Sequence, residues 1–118
     1  MDFTLAGHRD LTWFADQMAG DEAALVATLL NDALATRRRA AACTFITHPA
    51  PSASLPDVLA QALSTEPHPA VREAILRALS AQGEHGRARL PAALADPVPD
   101  VRSLAAILMT TNTRREDG

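Results

Sequence analysis

Apolar residues recur in the second half of the chain at helical spacing, twice in the same arrangement. Val71, Ala74, Ile75, Ala78 and Leu79 fall at i, i+3, i+4, i+7 and i+8, and Val101, Leu104, Ala105, Leu108 and Met109 repeat the set 30 residues later. Such spacing puts each set on one stripe of an α-helix. The segments leading into the stripes also match: Glu66-Pro67-His68-Pro69-Ala70-Val71-Arg72 recurs as Asp96-Pro97-Val98-Pro99-Asp100-Val101-Arg102. Pro69 and Pro99 suit a first helical turn, where the N–H that proline lacks is not needed. The residue before each proline is pushed towards extended geometry, which separates the helix from the one before it. Glu66 and Asp96 bring an acid close to the positive end of the helix dipole.

A partner helix is predicted ahead of each stripe. Ser54-Leu55-Pro56-Asp57 reads as a capping box followed by Val58, Leu59, Ala62 and Leu63. Leu90-Pro91-Ala92-Ala93-Leu94 is its shorter counterpart, and Gly83 and Gly86 bracket the break between the two units. A degenerate earlier unit precedes them. Leu25, Val26, Leu29, Leu30, Ala33 and Leu34 make a wide apolar face on a helix capped near Asp21. Arg37-Arg38-Arg39 then leads into Ala41, Ala42, Phe45 and Ile46, and His48-Pro49 ends that helix. Either Arg38 or Arg39 is the equivalent of Arg72, and either register puts arginine where the later units have Val71 and Val101. Upstream, Asp10 to Gly20 reads as a short helix with Leu11, Phe14, Ala15 and Met18 on one face, placed to cover the first unit. The expected organisation is one domain: a cap over 1–20, units over 21–48, 54–82 and 84–109, and a polar, frayed tail over 110–118.

Composition sharpens this picture. A chain of 118 residues is one domain's worth. Aromatic residues are 3% and tyrosine is absent, so the core falls to Leu, Val, Ile and Ala, a mixture that favours helix. Every basic residue is arginine, which with the heavy use of alanine points to a high-GC bacterial genome. The net charge of -3 gives no global attraction to nucleic acid or anionic membranes. The first residues lack the pattern of a signal peptide and no run of 18 apolar residues occurs, so the expected compartment is the cytoplasm, with no membrane partner. Cys43 is the single cysteine and supports neither an internal disulfide nor a cysteine zinc cage.

Taken together, the repeated segments resemble the HEAT-repeat family, in particular the short repeats of the phycobilisome-lyase type. The family pattern of an acid, a proline, Val-Arg and spaced small or apolar residues stands at Glu66-Pro67, Val71-Arg72, Ala74-Ile75 and Leu79, and again at Asp96-Pro97, Val101-Arg102, Leu104-Ala105 and Leu108. The resemblance is good from Leu55 to Met109 and weak from Asp21 to Ile46. It implies an all-α fold, a short right-handed α-solenoid of about three HEAT-like helix pairs with an N-terminal capping helix. It also implies a structural role for the arginines, with Arg72 and Arg102 pairing near Glu66, Asp96 or Asp100.

Chemistry-bearing residues are sparse. Arg37, Arg38 and Arg39 are the densest charge and could meet phosphate or an acidic partner, although neighbours about 100° apart on a helix cannot all face one way. Trp13 is either a binding anchor or a buried seal over the first unit. His8, His48, His68 and His85 make no i, i+4 pair and no metal-ligand spacing, Cys43 has no identifiable base, and no cofactor motif occurs. No catalytic, cofactor-binding or metal residue is therefore expected. The expected function is a non-catalytic protein-binding module, an adaptor, scaffold or inhibitor, whose partner is another protein or a second copy of the chain. Ile107, off the main stripe, adds apolar surface at the last helix. The alternative is nucleic-acid binding through the arginine-rich helix starts. The lyase activity that the repeat's family name suggests has no base, nucleophile or cofactor motif behind it.

Overall fold

The computed structural model describes residues 22–48 and 53–117, with side chains as far as Thr111; the expected cap over 1–20, including Trp13 and His8, lies outside the described residues. Six α-helices and one 3₁₀ helix make up the described fold, and it contains no strand. They are α1 (Glu22–Asn31), α2 (Ala35–Thr47), α3 (Leu55–Thr65), α4 (Pro69–Ala81), α5 (Glu84–Arg87), the 3₁₀ helix Leu90–Ala95, and α6 (Pro99–Asp117). Helix α1 packs on α2, α3 on α4, and the 3₁₀ helix on α6. Helix α4 is the common partner, packed against both α2 and α6, so the two segments that echo each other in sequence lie side by side.

Burial follows from that placement. Helix α4 buries Val71, Ala74, Ile75, Leu76, Ala78 and Leu79, a wider face than its repeated stripe because it has long helices as neighbours on two fronts. Helix α2 contributes Ala41, Ala42 and Phe45, the largest fully buried side chain. The alanines allow close helix approach, and a fully buried leucine or phenylalanine contributes about 1.5–3 kcal/mol of transfer free energy. Helix α6 buries Val101, Leu104 and Ala105 and leaves Ile107 59% exposed.

Four local features depart from the sequence pattern. Helix α1 stops at Asn31, so Leu34 is not on its apolar face; it is the extended N-cap residue of α2 and is 55% exposed. The expected capping box at Ser54 does not form, since that side chain makes no cap hydrogen bond; α3 starts instead with Pro56 in its first turn, where no N–H is required. The outer helix of the last pair is broken into α5 and the 3₁₀ helix. Gly83, at φ 82°, makes the reversal that ends α4, a conformation that suits glycine because it has no Cβ. Finally, the last helix does not end near Met109 but continues to Asp117.

Candidate interaction surface

Three turns in this molecule are built to one pattern. In each, an acid precedes an arginine by six residues: Asp32 and Arg38, Glu66 and Arg72, Asp96 and Arg102. Each acid caps its own turn. Asp32 Oδ1 accepts the Leu34 N–H at 2.9 Å, Glu66 Oε2 the His68 N–H at 3.0 Å, and Asp96 Oδ1 the Val98 N–H at 2.9 Å. Each arginine then folds back on its own turn through Nη1, to the carbonyl of Asp32 at 2.8 Å, of Glu66 at 3.0 Å and of Asp96 at 2.7 Å respectively.

The other edge of the guanidinium reaches forward to the next turn. Arg38 donates to Glu66 Oε1 through Nε at 2.8 Å and to Oε2 through Nη2 at 3.0 Å. Arg72 donates to Asp96 Oδ2 through Nε at 2.7 Å and to Oδ1 through Nη2 at 3.1 Å. These are bidentate, charge-assisted pairs, the strongest class of side-chain hydrogen bond. They join elements that only the fold brings together, and they register each helix pair against the next. Among the described residues Arg102 has the back-bond to Asp96 but no carboxylate on its forward edge.

This geometry settles the arginine cluster. Arg38, not Arg39, is the equivalent of Arg72. Arg37 points away, 66% exposed and 3.9 Å from Asp32, and Arg39 is exposed. Asp100 is exposed in the first turn of α6. Asp32 carries no mark in the apolar pattern, and the signal that finds it is the constant six-residue interval from acid to arginine.

Burial pushes the Glu66 carboxyl up, but the Arg38 fork, the His68 N–H and the nearby positive charge outweigh it and hold the group below its ordinary value. Asp96 is likewise raised by burial and lowered further by Arg72, the Val98 N–H and Arg102, for a net depression. Arg38 is raised by its bond to Glu66. Both acids therefore bind protons more readily in the unfolded chain than in the folded one. Their contribution to stability is whole above the unfolded carboxylate pKa of about 4 and is lost as pH falls through the lower folded values. Urea midpoints should thus be flat from neutral pH down to about 5 and drop progressively below it, and the Glu66→Gln, Asp96→Asn double variant should flatten that drop.

Two of the open surfaces lie against this framework. One is a cleft of about 510 Å³ between α3 and the 3₁₀ helix, lined by Ala60, Leu63, Ala92 and Ala93, with the Arg72–Asp96 pair in its wall. It exists because the outer helices of these two pairs do not stack closely; the exposed Arg89–Asp57 ion pair connects them. The other is the exposed side of α6 around Arg102 and Ala106. Arg38, Ala42 and Phe45 stand at i, i+4 and i+7 on α2, as do Arg72, Leu76 and Leu79 on α4 and Arg102, Ala106 and Met109 on α6. In the first two sets the apolar residues are buried. In the third, Ala106 is exposed and Met109 only half-buried; Ile107, also exposed, lies on the opposite flank of α6.

The remaining candidates stay apart. His48, His68 and His85 are exposed, and no group of three potential metal ligands occurs among the described residues. Cys43 is half-buried in α2. No helix among the described residues is long and apolar enough to cross a membrane. Comparison of the chain with protein-family models, curated proteins and solved structures gave no match.

Proposed function

We propose that this chain is a short α-solenoid of HEAT-like helix pairs and that it acts as a non-catalytic protein-binding module, docking its partner on the exposed side of α6 around Arg102 and Ala106. The observation that carries the reading is the incomplete third turn. Two arginine forks are closed by a carboxylate, of Glu66 and of Asp96, and flanked by buried apolar residues, and the third, at Arg102, has no carboxylate among the described residues and is followed one turn later by exposed Ala106. A surface already shaped to receive another helix pair is a preorganised interface, since little ordering is left for the partner to impose.

Side-by-side packing of α4 and α6, and of α2 and α4, supports the solenoid reading. Nucleic-acid binding is the less supported reading, since Arg38 and Arg72 are engaged in buried pairs with Glu66 and Asp96 and do not join exposed Arg37 and Arg39 in a common basic face. The test is affinity capture from the soluble extract of the source organism. The wild-type chain is expected to retain a protein that Ala106→Glu does not, the variant melting at the same temperature because residue 106 is exposed. Equal retention by both chains would place the docking surface elsewhere.

A further inference from the structure

We infer that the partner on the α6 end is a second copy of this chain, which supplies Asp32 to the open fork of Arg102. This rests on the proposed use of that end as the docking surface and adds the identity of what docks.

Two observations carry it independently. At one end, Arg102 is an arginine without its forward acid. Nη1 is held on the Asp96 carbonyl at 2.7 Å, as Nη1 of Arg38 and Arg72 are held on their own turns, so the guanidinium is already fixed at one edge. The molecule shows twice what the other edge accepts. It is a carboxylate that takes Nε and Nη2 together while one of its oxygens also accepts the N–H two residues further on.

At the other end, Asp32 is that kind of acid without its arginine. Its Oδ1 accepts the Leu34 N–H at 2.9 Å, and its carbonyl receives Arg38. The one ion pair of its carboxylate among the described residues is with Arg37, at 3.9 Å and 66% exposed, too distant for a hydrogen bond. The Asp32 turn thus lacks what the Arg102 turn offers. Both ends also carry exposed apolar residues: Ala106, one turn after Arg102, and Ala33 and Leu34, which follow Asp32 directly, the last 55% exposed.

A contact between unlike ends leaves one of each free, so copies add head to tail. The net charge of -3 on each copy opposes association, which makes it weak and strongly dependent on concentration. A fork pairing in bidentate fashion must contribute enough that its loss weakens binding by about tenfold or more.

Sedimentation equilibrium of the full chain tests this with a charge exchange. The wild-type chain is expected to form species that grow with concentration. Arg102→Asp and Asp32→Arg should each be monomeric alone, and an equimolar mixture of the two should associate again, because both junctions in the mixture join an acid to an arginine. Asp32→Asn, which keeps an acceptor for the Leu34 N–H, should weaken association while leaving the far-ultraviolet circular dichroism and melting unchanged. A wild-type chain that stays monomeric at every concentration overturns the inference. So does association that Arg102→Asp leaves intact, or a mixture that remains monomeric. Should the chain be monomeric while capture of another protein is still lost in Ala106→Glu, the docking surface stands and only its occupant is wrong.

Discussion

Replacing Glu66 with alanine is expected to lower the free energy of unfolding by about 3–5 kcal/mol, the cost typical of stranding one member of a buried ion pair. The side chains of Arg38 and Glu66 are only 14% and 3% exposed, so solvent cannot take over the lost partner as it does at the surface. The variant leaves the guanidinium of Arg38 held only on the Asp32 carbonyl, and it also removes the acceptor of the His68 N–H. Glu66→Gln should be milder, since the amide oxygen can still accept one of these bonds although the charge is gone. An Arg38→Met, Glu66→Leu double variant should be nearer the wild type than Glu66→Ala, because removing both charges leaves none unpaired. Urea unfolding with an unchanged m-value is the measurement. If Glu66→Ala fell within about 0.5 kcal/mol of wild type, the pair would be behaving as an exposed one.

The arginine at this site shows how far the sequence could be read. The apolar period of α4 and α6 depends on local spacing alone, and the structure buries every residue it marks in α4 and the first three in α6, with Leu108 and Met109 half-buried. In the first unit the equivalent of Val71 is Arg37, so the hydrophobic stripe offers no register and leaves Arg38 and Arg39 both possible. The acid decides between them: Asp32 stands six residues before Arg38, as Glu66 and Asp96 stand before Arg72 and Arg102. Leu34 was misread for a related reason. A run of apolar residues cannot show where a helix stops, and the Asp32 cap on Leu34 N–H starts the turn before the run is over. That the arginine forks reach forward to the next turn is a tertiary fact, written in no local window of sequence. The same holds for the exposed side of α6, whose Ala106 is unremarkable until compared with buried Leu76 and Ala42 at the same step from their arginines.

Gly86→Ala is expected to cost at least about 3 kcal/mol, at or above the upper end of the usual range for overpacking. A Cβ at Gly86 would lie 1.9 Å from the Leu79 carbonyl oxygen and 2.9 Å from both the Leu79 carbonyl carbon and the Gln82 Cβ. Two of these three atoms are backbone, so no change of rotamer relieves the clash, and α5 must lift from the end of α4. The displacement would reach further, because the Gln82 amide, at that same end, donates to the carbonyls of Ala78 and Phe45, both at 3.1 Å, and so ties α4 to α2. Gly83 supplies the contrast. A Cβ there meets nothing within 4 Å, and alanine would suffer only from the backbone conformation, φ 82° with ψ -156°, a region almost confined to glycine, at a cost of about 1–3 kcal/mol. The two glycines stand three residues apart for different reasons, one for backbone conformation and the other for space. Equilibrium unfolding of the two variants should therefore rank Gly86→Ala well below Gly83→Ala. Amide exchange in Gly86→Ala should be faster in α5 and at the end of α4 before it changes in α2. The reverse ranking would mean that α5 does not sit against the Leu79 carbonyl.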